Sequence, residues 1–331
     1  MFENIIGNRS IAARLEREIR TGTPAHAMLF VGNDFSGKIS CALETARALN
    51  CSEGGEWNCG CRSCVQSRFL KNPYLFLTGP YSDFYEIRLT AELLKNRGDL
   101  SSLIKFVRAL RKLAMRFDSR ILTEEDAKKI DKEALLSIGT GAERLIVGDF
   151  SSEEQRLLQI DEAVTAAERL ASQAPASFSV HAVRNLISES YIGTEGKKII
   201  IIEAADTLSV ASSNALLKIL EEPPVDTYFI LTAVRQSAVL PTVLSRLRIY
   251  AFSDRSREEE RLLLKLFFGY EGELSLGDFI LKHSGTNLEE INAAVDDFFA
   301  ALIDENGWKR FYSVALFKTS DRRLFTLFWR R

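Results

Sequence analysis

The sequence has 331 residues, 46% of them hydrophobic and 27% charged, so it is long enough for two or three domains of ordinary globular composition. Its formal net charge of −2 excludes a protein that binds DNA through overall charge, so any nucleic-acid contact must use a local basic patch. No run of about 18 apolar residues is present, and the first residues, MFENIIGNRS, lack the layout of a signal peptide. We therefore expect a cytoplasmic protein without a membrane span.

The first predicted elements are a helix and a strand that lead into a glycine-rich loop. Asn8 is the predicted N-cap of the helix, and residues 29–31 are the predicted strand. The loop that follows has the spacing G-x-x-x-x-G-K, formed by Gly32, Gly37 and Lys38. In loops of this kind the backbone N–H groups surround phosphate, and the lysine reaches the outer phosphates.

The residue after the lysine departs from the pattern of a working phosphate loop. A Ser or Thr is needed there because its hydroxyl binds magnesium, whereas this chain has Ile39, with Ser40 one position late. Two alternatives therefore stand for the loop. It either still binds ATP, or it descends from a phosphate loop and has lost nucleotide binding.

Four of the five cysteines lie in one short glycine-rich segment. Cys51, Cys59, Cys61 and Cys64 form the pattern C-x7-C-x-C-x2-C, which is typical of a closed tetrahedral zinc site. Because four protein ligands leave no open position on the metal, the predicted zinc ion is structural and not catalytic. The alternative is four unrelated free cysteines. The fifth cysteine, Cys41, is predicted to be a small buried side chain.

Residues 81–176 carry no strand signals and are predicted to form a helical insertion. The strongest helix covers 103–117, and further helices are predicted over 124–136 and 153–173. One face of the first helix is basic, and it either meets a phosphate backbone or is an ordinary solvated face. The cations of this face are Lys105, Arg108, Arg111, Lys112 and Arg116.

A run of four isoleucines over 199–202 is typical of a strand that is buried on both faces of a parallel sheet. Glu203 lies at the C-terminal tip of this strand, at the edge where open α/β sheets bind ligands. A helix capped by Ser209 follows and ends before Pro223. These pieces are either the metal-binding half of a nucleotide site or an ordinary strand end. Further strands are predicted over 228–232 and 248–252.

Several of these segments resemble the AAA+ clamp-loader family of bacterial DNA polymerase III, which includes the gamma/tau and delta-prime types. The resemblance rests on SSNALLKILEEPP at 212–224, on the phosphate-loop pattern, on the cysteine segment, and on Ser245-Arg246. It covers about 1–80 and 177–300. The implied fold is α/β: an AAA+ P-loop core with a parallel sheet, a zinc-binding loop, a helical insertion and a small helical lid. The implied domains are a core over 1–252 with the zinc module at 51–64, a lid over 253–300, and the start of a short or truncated helical collar over 301–331.

The resemblance also implies that several nucleotide contacts are changed in this chain. The aspartate–glutamate pair of the family corresponds to Glu203-Ala204, so a methyl group replaces the carboxylate that polarises the attacking water. Phe35 stands where the family usually has a glycine, and the sensing arginine of the lid corresponds to Leu288. Thr232 is the nearest candidate for the residue that senses the γ-phosphate. The degenerate nucleotide site would consist of Gly32, Gly37, Lys38 and Glu203.

The Ser-Arg motif of the family implies that Arg246 is an arginine finger, which acts in trans on the ATP site of a neighbouring subunit. The implied function is a delta-prime-like subunit that does not hydrolyse ATP itself but takes part in loading the sliding clamp. Its partners would be the gamma/tau and delta subunits and, through the complex, the sliding clamp and primer–template DNA, with no membrane partner. The alternatives are an ATP-hydrolysing gamma/tau-like subunit, and a DNA-binding or scaffolding relative that uses the basic helix.

Overall fold

A computed structural model describes residues 1–80, 84–148, 150–174 and 178–283, so the predictions for Leu288 and for the collar over 301–331 lie outside the described residues. The described chain is built around a five-stranded sheet in the order β2-β3-β4-β1-β5, and all of its strands run parallel. This confirms the predicted α/β class. The strands are β1 (Ala27–Val31), β2 (Leu75–Thr78), β3 (Lys198–Ile202), β4 (Thr227–Ala233) and β5 (Arg248–Ala251).

Thirteen α-helices accompany the sheet in the described ranges, and none of them combines the length and apolar character of a membrane span. The helices are α1 (Arg9–Arg20), α2 (Lys38–Leu49), α3 (Arg62–Arg68), α4 (Phe84–Arg97), α5 (Leu100–Met115), α6 (Glu124–Lys129), α7 (Lys132–Val147), α8 (Glu153–Ala171), α9 (Val180–Ser190), α10 (Val210–Glu221), α11 (Pro241–Leu244), α12 (Arg257–Leu263) and α13 (Leu276–His283).

Strand β3 is buried on both faces, as its isoleucine run predicts. All of its residues are buried, and alternate side chains point to opposite faces of the sheet. Ile199 and Ile201 pack with residues of α2 on one face, whereas Ile200 and Ile202 pack with residues of α9 and α10 on the other. Each buried isoleucine contributes about 2 kcal/mol of hydrophobic free energy. Helices therefore cover both faces, which is the arrangement that parallel sheets require.

The helical insertion is present as α4 to α8, and α4, α5, α7 and α8 share a core of their own that includes the fully buried Phe106 and Ile160. The helix predicted over 103–117 begins earlier, at Leu100. The helix predicted over 124–136 is instead two helices, α6 and α7. They are separate because the Asp131 side chain accepts a hydrogen bond from Ala134 N at 2.8 Å and so caps a new helix.

Candidate functional site

The parallel sheet brings the phosphate-type loop and the strand-tip acid to the same edge. Gly32 directly follows β1, and Glu203 directly follows β3. The backbone N–H of Glu203 donates to the carbonyl oxygen of Thr78 at 2.8 Å, which extends the pairing of β3 with β2. Gly79 has a φ of +125°, and a Cβ at this position would lie 2.9 Å from the Glu203 Cβ. Only glycine fits this close approach, so the end of β2 is shaped around the acid.

The loop backbone keeps the conformations that glycine favours. A Cβ on Gly32 would lie 2.5 Å from the Phe252 carbonyl oxygen, and a Cβ on Gly37 would lie 2.6 Å from an Arg255 guanidinium nitrogen. Phe35, which stands in place of a family glycine, has a φ of +62°. The left-handed conformation costs a residue with a Cβ about 1–2 kcal/mol. The backbone at Phe35 therefore adopts the left-handed conformation although glycine, the residue that adopts it without strain, is replaced here.

Contacts of the Phe35 side chain offset this strain. Its ring lies 6.3 Å from the ring of Tyr85 in an edge-to-face arrangement. The same side chain packs against a small apolar cluster that joins α4 to the segment after the sheet. The tip of the loop is thus anchored to the insertion and to the helices that follow β5. The buried members of this cluster are Leu89, Leu264, Leu276, Phe279 and Ile280.

Lys38 is directed at its own loop. Its Nζ donates to the carbonyl oxygens of Gly32 and Asn33, the second at 2.7 Å, and the residue is only 8% exposed. The Asn33 side chain in turn donates to both carboxylate oxygens of Asp254 at 2.9 Å. The lysine that reaches phosphate in a working loop therefore holds together the start of the loop, and the linker after β5 is bonded to the same segment.

Asn8 is the N-cap residue of α1, as predicted, but its side chain does not cap the helix. Asn8 has a φ of 50°, and its side chain forms no cap hydrogen bond. Its amide nitrogen instead donates to the carbonyl oxygens of Ser36 and Ser253, both at 3.1 Å, and its side-chain oxygen accepts from Ser253 N at 2.8 Å. Asn8 thus joins the N-terminal segment to the phosphate-type loop and to the linker.

The strand-tip acid is engaged by an arginine of the insertion. Arg116 directly follows α5, and its Nη2 donates to Glu203 Oε2 in a buried ion pair. The exposed fractions of the two residues are 4% and 5%. A buried carboxylate needs a compensating positive charge. Here a guanidinium supplies the charge that magnesium would supply in a nucleotide site, a pairing that the sequence interpretation missed.

The other candidate residues of the nucleotide site are Ala204, Thr232 and Ile39. Ala204 has a φ of 50° and carries a methyl group, and its backbone N–H donates to Thr232 Oγ1 at 3.3 Å. The candidate phosphate sensor is thus bonded to the strand tip. Ile39 is partly buried and packs against the core between α2 and the sheet, so α2 has no hydroxyl at this position.

The basic face of α5 matches neither interpretation offered for it, because its cations bind other parts of the protein. Lys105 Nζ donates to the Leu266 carbonyl oxygen at 2.9 Å, and Arg108 Nη1 donates to the Ser67 carbonyl oxygen at 3.1 Å. Arg111 forms an ion pair with a glutamate of α7 at 2.5 Å. Helix α5 therefore connects the end of α3, the segment after α12 and, through the arginine that follows the helix, the tip of β3.

The four clustered cysteines meet in space. Their Sγ atoms all lie within 4.8 Å of one another, with 3.7 Å between Cys51 and Cys59 and 3.9 Å between Cys51 and Cys61. A tetrahedral zinc site with bonds of about 2.3 Å has edges of about 3.8 Å between its sulfur atoms. The Cys59-Gly60-Cys61 spacing, with a single residue between the two cysteines, is thus compatible with four ligands, and Cys64 completes the set.

Backbone N–H groups are directed at three of these sulfur atoms and would stabilise negative charge on them. Each of three sulfur atoms accepts a backbone N–H at 3.4 Å: Cys51 from Glu53, Cys59 from Cys61, and Cys61 from Cys64. Burial opposes ionisation of Cys61, but hydrogen bonds from Cys64 and Ser52 outweigh it and lower the pKa of this thiol to about 6. Burial and hydrogen bonds within the cluster instead raise the pKa of Cys59 and Cys64. The thiolate is the form that binds metal.

Arg246 lies near the N-terminal ends of the strands, whereas the phosphate-type loop lies at their C-terminal ends. Arg246 precedes β5, and Arg248 of β5 pairs in register with Met28 of β1. Gly32 lies four residues after Met28, so about 13 Å of strand separates it from that position. The Arg246 Nη2 forms an ion pair with Glu221 Oε2 at 2.8 Å, and the arginine side chain is 29% exposed. This arginine is therefore accessible on a surface away from the loop of its own chain.

This sheet order, with a phosphate-type loop after β1 and an acid at the tip of β3, defines an α/β core of the P-loop type. Residues 7–138 and 150–256, well over half of the chain, match the family described as DNA polymerase III, delta subunit, and the chain belongs to that family. The AAA+ character inferred above follows from this membership.

Individual relatives match shorter segments of the chain. The DNA polymerase III subunit delta' of Haemophilus influenzae is 40% identical over 63 residues, which cover 19% of each chain. The delta' subunit of Yersinia pestis is 42% identical over 72 residues, or 21% of each chain. The gamma/tau subunit of Mycobacterium bovis is 29% identical over 110 residues, which are 32% of this chain and 19% of the relative. The matches thus span about a fifth of each relative, and they indicate a clamp-loader subunit of the delta-prime or gamma/tau type.

Proposed function

We propose that this chain is a delta-prime-like clamp-loader subunit that does not hydrolyse ATP itself. The observation that carries this proposal is the buried ion pair between Glu203 and Arg116. In a hydrolysing site the strand-tip acid helps to hold magnesium. Here that acid is already neutralised by a guanidinium, and a metal ion would have to displace it.

Two substitutions support the same proposal. Ile39 removes the hydroxyl that binds magnesium, and Ala204 removes the carboxylate that polarises water. The loss at each position concerns a different part of the reaction, so restoring one of them does not rebuild the site. Gly32 and Gly37 have positive φ values of +158° and +98°, and binding of nucleotide without turnover is compatible with the proposal.

Arg246 is proposed as an arginine finger that acts in trans. Its position just before β5, at the end of the strands away from Gly32, supports this role because it places the residue at a distance from the loop of its own chain. Its present partner, Glu221, is 60% exposed, and a pair at such a surface contributes only about 0–1 kcal/mol. The guanidinium can therefore exchange this carboxylate for the phosphate of a neighbouring subunit at little cost.

The proposed partners are the gamma/tau and delta subunits, with the sliding clamp and primer–template DNA bound through the assembled complex in the cytoplasm. A stand-alone DNA-binding protein that uses the basic face of α5 is disfavoured, because the cations of this face bind carbonyl and carboxylate groups of the chain itself. An active gamma/tau-like subunit is the rival that the following experiment tests.

The isolated chain is expected to release phosphate from ATP only at the background rate, because the groups that bind magnesium and polarise water are lost or occupied. A coupled phosphate-release assay on the purified chain measures this, with Lys38→Ala as the matched variant. We expect the two proteins to give the same rate. Turnover that disappears in Lys38→Ala would identify a working site and favour the gamma/tau-like alternative.

The cysteine cluster is proposed to hold one structural zinc ion. Cys51, Cys59, Cys61 and Cys64 would supply four thiolates, and the ion would cross-link the loop between α2 and α3 without any part in a reaction. The fit rests on the sulfur–sulfur distances and on the N–H groups directed at three of the sulfur atoms.

Metal analysis of the native protein is expected to find about one zinc per chain, and Cys61→Ser is expected to lose it. Because the ion is structural, removing it with a chelator should lower the thermal midpoint of unfolding rather than abolish a reaction. Cys41→Ser is the control, since Cys41 is buried outside the cluster. Native protein without zinc, or a Cys61→Ser variant that retains it, would contradict the assignment.

A further inference from the structure

Arg47 lies beside the cysteine cluster and is buried to an extent unusual for an arginine. It belongs to α2, and its side chain is only 2% exposed. Its Nη1 donates to Cys64 Sγ at 2.9 Å and to the Glu56 carbonyl oxygen at 3.0 Å, while its Nη2 donates to the Gly55 carbonyl oxygen at 2.6 Å. One guanidinium thus contacts a cluster sulfur atom and two points of the loop that carries the cysteines.

The orientation of Arg47 is fixed from the side away from the cluster. Glu44, one turn earlier on α2, is 1% exposed at its side chain and accepts from Arg47 Nε at 3.0 Å and from Nη2 at 2.6 Å. Two parallel hydrogen bonds of this kind hold a guanidinium in one plane. The Arg47 guanidinium also lies over the Trp57 ring, with 5.7 Å between Cζ and the ring centroid, which is a cation–π contact.

We infer that Arg47 is a positioning residue of the cysteine cluster, which orients the Cys64 sulfur and offsets the negative charge of a zinc tetrathiolate. Four thiolates and one Zn²⁺ carry a net charge of about −2, which is unfavourable in a buried site unless nearby donors and cations compensate. Arg47 supplies both a hydrogen-bond donor and a positive charge directly at the Cys64 sulfur. This inference rests on the zinc site proposed above.

The test compares Arg47→Met with Arg68→Met in the full chain. Arg68 is the matched control because it also holds the cluster, but through the carbonyl oxygen of Cys59 rather than through a sulfur atom. Transfer of zinc to a chromogenic chelator measures how firmly the ion is held. Arg47→Met is expected to release zinc about 10–100-fold faster than the native protein, the range typical for loss of a residue that orients a metal ligand.

Cobalt substitution separates a contact with sulfur from general support of the loop. Losing a hydrogen bond makes a thiolate a better electron donor, so the sulfur-to-cobalt charge-transfer band should move to lower energy in Arg47→Met. The band should keep its energy in Arg68→Met, even if that variant also releases metal faster. In Arg47→Lys the band should lie between its positions in the native protein and in Arg47→Met. An ammonium can donate to one acceptor but cannot span the sulfur, the carbonyls and Glu44 together.

Arg47→Met leaves Glu44 buried without its partner and can therefore fail to fold. The pair Glu44→Gln with Arg47→Met removes both charges, keeps the volume and still lacks the contact with sulfur, so it should show the same band shift and fast release. Native band energy and native release rate in the Arg47 variants would overturn the inference while leaving the zinc site intact. Native protein that binds neither zinc nor cobalt would overturn both.

Discussion

Replacing Arg246 with alanine is expected to lower ATP hydrolysis at the adjoining site of a reconstituted clamp loader by roughly 10–1000-fold. The transition state of that site would lose the cation that this chain lends to it. Total ATPase activity should fall by less, since the other sites in the ring keep their own partners. Arg246→Lys should not restore the activity, because an ammonium cannot reproduce the planar, two-pronged contact of a guanidinium. DNA-stimulated ATPase and clamp-loading assays measure these effects.

Arg248→Ala is the matched control for this experiment. Arg248 lies two residues further along, its side chain is 46% exposed, and it pairs with Glu18 rather than with Glu221. Both variants should fold and assemble normally, because exposed pairs contribute little to stability. Unchanged ATPase in the Arg246→Ala ring would refute the finger, and failed assembly would make Arg246 an interface residue instead.

Arg116→Met is expected to lower the free energy of unfolding by about 3–5 kcal/mol, because it leaves the buried Glu203 carboxylate without its counter-charge. The pair of Arg116→Met with Glu203→Gln should recover most of this loss, since the buried negative charge is then absent as well. Urea unfolding of the single and double variants, followed by circular dichroism, measures the difference.

Arg88→Met provides the comparison at the surface of the same insertion. Arg88 and its partner Glu168 have side chains that are 42% and 58% exposed, so losing this pair should cost at most about 1 kcal/mol. Equal losses in Arg88→Met and Arg116→Met would show that burial does not strengthen the pair at the strand tip. A double variant as unstable as Arg116→Met alone would point to lost packing as the cause.

Sequence patterns predicted the features that depend on residues close together in the chain. The isoleucine run specified β3, because a continuous β-branched segment suits a strand covered on both sides. The spacing of Gly32, Gly37 and Lys38 specified the loop, and the clustered cysteines specified a group that does meet in space. In each case the physical requirement is contained within fewer than about fifteen residues.

Contacts between distant segments could not be predicted in this way. Arg116 and Glu203 are 87 residues apart, and a row of cations along a helix looks the same in sequence whether it faces water, DNA or carbonyl groups. Asparagine is common at N-cap positions, and Asn8 does occupy one. Its side-chain amide, however, is hydrogen-bonded to Ser253, which is 245 residues away. Only the tertiary packing decides which of several suitable partners such a polar side chain meets.

The ion pair at the tip of β3 also has a consequence for any attempt to build a magnesium site there by mutation. A variant with Ile39→Ser and Ala204→Glu would still hold Glu203 in its ion pair with Arg116, which a magnesium ion would have to displace. Losing Arg116 first would leave Glu203 as a buried, uncompensated charge and would destabilise the fold before any metal is gained. A magnesium site at this strand tip would therefore require Arg116 and the other two positions to change together.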